Sequence, residues 1–305
     1  MAKEYHYDVV ILGAGPAGLT AGIYSARYNL DTLIISRDIG GMANLAPKIE
    51  NYPGFEGSGA ELMKKFAEQA KKHGVKFLDE EISDIEKDDN GFVIITKKEK
   101  KIHTKTIIFS LGTEKRKLNI PGENNLLGKG VSYCATCDGF FFKNKAVIVV
   151  GGSDSAAHAS LELANYAKDV KIVYRGEKLR CEKINLERIK KNNKIEIVYN
   201  AIPLEVKGKN KVEAFVVDIK GKIIEIKTDG IFIEIGAIPS TELAKKLCVD
   251  LEEDYIKVNH DLETNVQGIF AAGDAVKSKI KQVILSAAQG ALAAKSAHEY
   301  LIKNE

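Results

Sequence analysis

The chain has 305 residues, 45% of them hydrophobic and 29% charged, and a net charge of +3. These are ordinary values for a globular protein, and the length suits about two domains, each able to bury its own core. The charge is too small to argue for nucleic acid or an anionic membrane surface, and no apolar run reaches the roughly 18 to 20 residues that span a bilayer. A strand-like run begins within a few residues of the N-terminus, without the charged-then-apolar pattern of a signal peptide, so a cytoplasmic location is expected.

In chain order, residues 9–12 form a short apolar run that ends in Gly13-Ala14-Gly15-Pro16-Ala17-Gly18. An amphipathic stretch follows over residues 17–28, then a second apolar run over 32–35. Strand, glycine turn, helix and strand make a βαβ unit. Asp88-Asp89-Asn90-Gly91 separates two strand-like pieces, as a hairpin turn would. The first pattern recurs with the apolar run 146–150, the turn Gly151-Gly152-Ser153-Asp154-Ser155-Ala156, a helical stretch to about residue 167 and a strand at 170–173. Two phosphate-type turns in one chain point to two nucleotide-binding domains. Residues 230–236 read as a buried strand, 264–274 as a strand opening into Gly273-Asp274, and 283–301 as an alanine-rich closing helix. The lysine clusters at 97–101 and 207–211 read as solvated turns. The expected fold is α/β, with two Rossmann-like nucleotide-binding domains, the second inserted into the first. Residues 1–115 and 243–305 would form one domain and residues 116–242 the other.

The three glycines of the first turn have separate tasks. Gly13 permits the tight turn, Gly15 lets backbone approach a pyrophosphate, and Gly18 lets helix pack on strand. Pro16 and Ala17 open the helix, whose N-terminus offers unpaired N–H groups to a phosphate. The acidic residue that usually binds a ribose at the end of the second strand is absent: Ser36 stands there, followed by Arg37. The ribose contact is then made by Ser36 or by backbone.

The chain has four cysteines, too few for a disulfide scaffold. Two lie in Ser132-Tyr133-Cys134-Ala135-Thr136-Cys137-Asp138-Gly139. That spacing lets one thiolate attack the other and form a reversible disulfide. Asp138 places a carboxyl beside the second thiol, where it could carry a proton. A structural zinc would need two more ligands nearby. Cys181 and Cys248 are far apart and the histidines are scattered, so no metal is expected. Cys181 and Cys248 are expected as small buried residues, and His158 as a packing or exposed residue of the helix after the second turn.

Taken in order, these segments resemble the low-molecular-weight thioredoxin reductase family. The resemblance rests on Gly13 to Gly18, Gly40-Gly41-Met42, Glu50-Asn51-Tyr52-Pro53-Gly54, Cys134-Ala-Thr-Cys137-Asp138, Gly236-x-x-Pro239-x-Thr241, the stretch from Thr264 through Gly273-Asp274, and Lys281-Gln282. It covers essentially the whole chain. It implies that FAD is held by Gly13, Gly15, Pro16, Ala17, Gly18, Ser36, Arg37, Gly40, Gly41, Met42, Asn51, Gly112, Gly273, Asp274, Lys281, Gln282 and Val283. Asp274 would bond the ribityl chain and Gln282 would lie by the isoalloxazine. Lys281 replaces an arginine common in the family. Cys137 would face the flavin, Cys134 would attack the partner disulfide, and Asp138 would be the acid–base residue. The resemblance also implies a thioredoxin-like protein as partner and a homodimer.

The second turn departs from the family pattern. NADPH would be held by Gly151, Gly152, Ser153, Asp154, Ser155, Arg175 and Arg180. Ser153 puts a side chain where backbone should approach the pyrophosphate. The two family glutamates after this turn are replaced by His158 and Ala159. Of the three arginines of the 2′-phosphate motif, Arg175 and Arg180 remain, a pair that could still clamp a phosphate. NADPH is the favoured donor, with ferredoxin or another reduced cofactor as the alternative. A flavin-bound redox sensor without turnover is a further reading. A related ferredoxin–NADP reductase would lack the cysteine pair, and a peroxide-system reductase would carry an N-terminal thioredoxin-like extension.

Overall fold

A computed structural model describes residues 5–46 and 49–304. The chain divides into two compact units: Met1–Glu114 with Pro239–Glu305, and Lys115–Ile238.

The first unit opens with β1 (Tyr5–Ala14), α1 (Pro16–Arg27) and β2 (Thr32–Ile39). Next come the short pair β3 (Ile49–Tyr52) and β4 (Phe55–Gly57), α2 (Gly59–Lys72) and β5 (Lys76–Leu78). The meander β6 (Ile82–Asp88), β7 (Gly91–Thr96) and β8 (Lys101–Phe109) follows, then β9 (Thr113–Lys115). β1 lies centrally, parallel to β2 on one side and to β8 on the other. Both of its faces are covered, and Val9, Val10, Ile11 and Leu12 have no solvent exposure. A continuous apolar run, rather than an alternating one, is what such a strand requires. Each of these side chains contributes roughly 1.5–3 kcal/mol by its burial. Asp88 and Gly91 face each other across the hairpin of β6 and β7, and the Asp88 carboxylate accepts the Asn90 N–H (2.8 Å).

The second unit holds β10 (Val131–Ser132), α3 (Ala135–Asp138), β11 (Ala146–Val150), α4 (Asp154–Leu163), β12 (Asp169–Val173), α5 (Lys183–Lys191) and β13 (Ile195–Val198). An antiparallel sheet follows, made of β14 (Ala201–Lys207), β15 (Ala214–Ile219) and β16 (Lys222–Lys227). The unit closes with β17 (Gly230–Ile233) and β18 (Ala237–Pro239). Its parallel sheet runs in the order β10-β17-β11-β12-β13. α4 stops at Leu163, short of the expected residue 167. Lys194 draws the Ala164 and Ala167 carbonyls to its ammonium (3.0 and 3.1 Å), an end made by a distant side chain.

The chain then returns to the first unit with α6 (Glu242–Lys246), β19 (Leu251–Glu252), β20 (Tyr255–Ile256), β21 (Ile269–Ala271) and α7 (Val283–Lys303). β21 joins the first sheet, parallel to β8. α7 buries Ala287, Gly290, Ala293, Ala294 and Ala297. Small residues are needed there because α1 comes close: a Cβ at Gly290 would sit 2.1 Å from the Ala17 carbonyl oxygen.

Candidate active site

Four loops of the first unit meet at the carboxyl ends of its parallel strands. After β1, Gly13 has φ +101°, and a Cβ there would lie 2.5 Å from the Ser110 carbonyl oxygen at the end of β8. A Cβ on Gly18 would be 1.9 Å from the Gly13 carbonyl oxygen, so helix and turn can close only on glycine. Ser110 reinforces the turn by donating its hydroxyl to the Leu12 or Gly13 carbonyl (2.8 and 3.0 Å). The segment after β2 returns to the same place: the Gly40 N–H bonds the Ala14 carbonyl (2.7 Å), and a Cβ on Gly41 would be 3.6 Å from Gly15 Cα. After β21, Gly273 packs on Ala17 and gives its N–H to the Gln289 amide oxygen (2.9 Å).

Gly15 is different from its neighbours. A Cβ there would meet nothing within 4 Å, yet the residue caps α1, which has no side-chain cap and no acidic residue in its first turn. Unpaired N–H groups therefore face open space at the positive end of a helix, the setting an anion requires. Asp274 lies on the 3₁₀ turn beyond Gly273. Among the described residues its carboxylate has one long contact, from the Ser286 hydroxyl at 3.5 Å. Burial pushes its pKa up, against the pull of Lys281. Such an acceptor has lone pairs left for hydroxyl donors. Asn51 and Gln282, far apart in sequence, are joined through their amides (2.9 Å). The open face at Gly15, the uncapped helix and the Asp274 carboxylate fit the pyrophosphate and ribityl groups of FAD.

Other expected residues are placed less directly. β2 runs on to Ile39, so Ser36 is half-buried within the strand and not past its end. Arg37 is exposed and pairs with Glu81 (3.6 Å). Met42 is exposed. Gly112 has φ +67° and accepts the Ser240 N–H (3.0 Å). Lys281 donates to the Asp274 and Val276 carbonyls (2.9 and 2.8 Å) and lies over the Tyr255 ring. Val283 is the first residue of α7.

In the second unit Cys134 and Cys137 form a disulfide, with Cα atoms 5.3 Å apart. Cys134 caps α3, and its sulfur accepts the Cys137 N–H (3.1 Å). That donor favours a thiolate at Cys134 over a thiol. The Ser132 hydroxyl donates to Asp138 Oδ2 (2.6 Å), and its oxygen accepts the Cys134 N–H (3.0 Å). One hydroxyl thus ties the carboxylate of Asp138 to the backbone of Cys134. Tyr133 donates its phenol proton to the buried Glu123 (2.6 Å), which also accepts the Leu118 and Asn119 N–H groups. Burial and that carboxylate push the Tyr133 phenol well above its usual range. Thr136 donates to Glu162 (2.8 Å), whose pKa burial raises.

The sequence matches the family model for pyridine nucleotide-disulphide oxidoreductases over residues 7–290. It is 41% identical to the thioredoxin reductase of Bacillus subtilis (strain 168), over 99% of this chain and 96% of that protein. Its structure is similar to that of Lactococcus lactis thioredoxin reductase, with a TM-score of 0.94, 38% identity and coverage of 97% of this chain and 99% of the other. The structure of T. acidophilum thioredoxin reductase matches with a TM-score of 0.92 and 37% identity, again over 97% and 99%.

The chain belongs to the thioredoxin reductases of the pyridine nucleotide-disulphide oxidoreductase family. It is an FAD-dependent disulfide oxidoreductase, and membership implies FAD and a nicotinamide cofactor. Two exposed rings, Phe140 and Phe141, follow the cysteine pair after Asp138 and Gly139. In sequence a Gly-Phe-Phe-Phe run reads equally as core; only their exposure sets them apart from the buried Phe142. Ser286 and Gln289 carry no mark in the sequence, being polar residues on an alanine-rich helix. Two expectations need correcting. Cys248 is exposed, at φ +57° in the turn after α6, because a turn that ends a short helix in open solvent buries nothing. Cys181 is only partly buried.

The second glycine turn is more crowded than the first. Ser153 caps α4 without a side-chain hydrogen bond. Asp154 accepts the Glu182 N–H (2.8 Å) and the Asn185 amide (3.1 Å), and His158 also meets Asn185 (3.0 Å). Ser155 is exposed in the first turn of α4. Arg175 and Arg180 are both exposed on the loop after β12. A Cβ on Gly152 would lie 2.4 Å from carbons of the Tyr174 ring.

Proposed function

We propose that this chain reduces the disulfide of a thioredoxin-like protein, with Cys134 as the attacking thiolate and Asp138 as the proton carrier. The observation that carries the reading is the Cys134–Cys137 disulfide, with Asp138 tied to Cys134 through Ser132. FAD, when bound, supplies a two-electron store that returns the disulfide to a dithiol. The Cys134 thiolate attacks one sulfur of the partner disulfide and forms a mixed disulfide. The Cys137 thiolate then attacks Cys134 Sγ. The Cys134–Cys137 bond re-forms, and the partner leaves with two thiols. Asp138 gives a proton to the thiolate that departs. The exposed rings of Phe140 and Phe141, a few residues after the cysteine pair in the chain, offer the partner an apolar contact.

The donor has two readings. NADPH is the one favoured by family membership, with Arg175 and Arg180 for its 2′-phosphate and Gly151 to Ser155 for its pyrophosphate. The other is ferredoxin or another reduced cofactor, and the crowding of the second turn by Ser153 and Tyr174 favours it. Turnover of a thioredoxin disulfide, with FAD content measured alongside, tests the reading. Cys134→Ser and Cys137→Ser should each abolish turnover and keep the flavin bound. With the flavin oxidised, Cys134→Ser should show a charge-transfer band from the Cys137 thiolate to the flavin, and Cys137→Ser should lack it. Full activity in either variant would overturn the assignment.

A further inference from the structure

We infer that the crevice at the carboxyl ends of the second parallel sheet is filled by the chain's own side chains and takes no pyridine dinucleotide. In an open α/β sheet a dinucleotide lies across the carboxyl ends of the strands, at the point where the strand order reverses. That point here lies between β11 and β17, since the chain moves from β11 to β12 and β13 on one side and returns to β17 on the other.

Three parts of a dinucleotide would each meet an occupant. The first residue after β12, where this fold places a carboxylate for the ribose hydroxyls, is Tyr174. Its ring lies against Gly152, at 2.4 Å from a Cβ built there, and against Gly176, at 2.6 Å. The adenosine ribose would need the space of that ring. At the pyrophosphate position Ser153 replaces the glycine, and Asp154 brings a carboxylate to the first turn of α4. This carboxylate is held by the Glu182 N–H and the Asn185 amide, and its negative charge in the first turn opposes a phosphate there. The loop after β12 is tied across the turn by Arg180 N–H to the Gly152 carbonyl (2.7 Å) and by Glu182 N–H to Asp154 (2.8 Å). On the β17 side, Glu234 is the first residue past the strand. Its side chain is 7% exposed and pairs with Lys115 at 2.6 Å. The Glu234 carbonyl oxygen lies 2.1 Å from a Cβ built on Gly151, so the backbone of the residue that carries this ion pair borders the glycine turn. Entry of a dinucleotide there would strip a buried carboxylate or ammonium of its partner, or press the pyrophosphate toward Glu234 and Asp154.

The inference bears on the donor in the proposed function and leaves the disulfide relay untouched, and the test separates the two. The FAD-loaded protein is titrated with NADPH and with NADH in equilibrium dialysis, and its flavin band is followed without oxygen. The expected result is no saturable binding below about 1 mM and an unbleached flavin. Saturable binding of either nucleotide below that level, or bleaching by either, overturns the inference. The same protein reduced with dithionite should still reduce a thioredoxin disulfide; loss of that activity would count against the relay and not against the closed crevice. Two variants then open the crevice: Tyr174→Ala, and Lys115→Ala with Glu234→Ala, which removes both charges together. Each should raise nucleotide binding about tenfold or more, roughly the value of one good contact, with FAD content unchanged. Absence of a gain in both FAD-retaining variants would mean these side chains are not the obstacle.

Discussion

At the scale of single residues, the proposed exchange turns on how the Asp138 carboxylate is held beside Cys134. Asp138 follows Cys137 directly, but adjacency in sequence does not aim a side chain. Ser132 does so by bonding Asp138 Oδ2 at 2.6 Å while its oxygen holds the Cys134 N–H at 3.0 Å. Asp138→Asn should therefore slow exchange between the dithiol and a thioredoxin disulfide by on the order of 10²–10⁴. Stopped-flow mixing of pre-reduced protein with oxidised thioredoxin measures this, with FAD content as the control. Ser132→Ala should slow the same step by about tenfold, the loss of one charge-assisted hydrogen bond. A rate within twofold of wild type for Asp138→Asn would leave Asp138 a part of the short α3 helix and nothing more. Asp138 could be picked out from the sequence because it adjoins the pair. The function of Ser132 could not, since a serine two residues before a cysteine is common and only the folded turn brings its hydroxyl back to residue 138.

At the scale of elements, the two glycine turns look alike in sequence and differ in space. In the first, Gly15 opens onto nothing within 4 Å, whereas Gly18 is pressed to 1.9 Å of the Gly13 carbonyl. The two glycines should thus respond differently to the same methyl group. Gly15→Ala should fold in its FAD-free form with only the small loss of stability of a poorer helix cap but bind FAD more weakly, because its methyl would enter the space proposed for the cofactor. Gly18→Ala should destabilise the fold itself, since α1 must move off β1 to admit it. Ratios of bound FAD to protein and thermal melts of the FAD-free forms distinguish the two; equal loss of stability in both would refute the assignment of Gly15. In the second turn, Gly152 faces the Tyr174 ring and not open space. The glycine spacing was readable in both turns because a βαβ unit demands it. What lies over the glycine was not, because Tyr174 comes from the end of the next strand.

At the scale of the whole molecule, one sheet of seven strands and one of five each carry a glycine turn at the end of a central strand. The first unit is completed only when β21 and α7 return after the whole second unit. Four of its loops then converge where FAD is proposed to bind, so the cofactor should stabilise this unit by mass action. Stripping FAD and restoring it at a hundredfold excess over its Kd should raise stability by about 2.7 kcal/mol. For a unit of this size that is on the order of 5–10 °C in melting temperature, read by calorimetry. No shift on restoring FAD would argue against the site. The sequence alone determined the two βαβ units, the apolar centre of β1, the hairpin at Asp88 to Gly91 and the cysteine pair, since each is written in neighbouring residues or in a short fixed spacing. Only the tertiary structure decided which glycine faces open space and which faces a ring, that Asn51 meets Gln282, that Ser132 holds Asp138, and that Glu234 pairs with Lys115. Local propensity and periodicity govern the first group. The second depends on contacts between segments up to 231 residues apart, whose geometry is set by packing and leaves no mark in a local window of sequence.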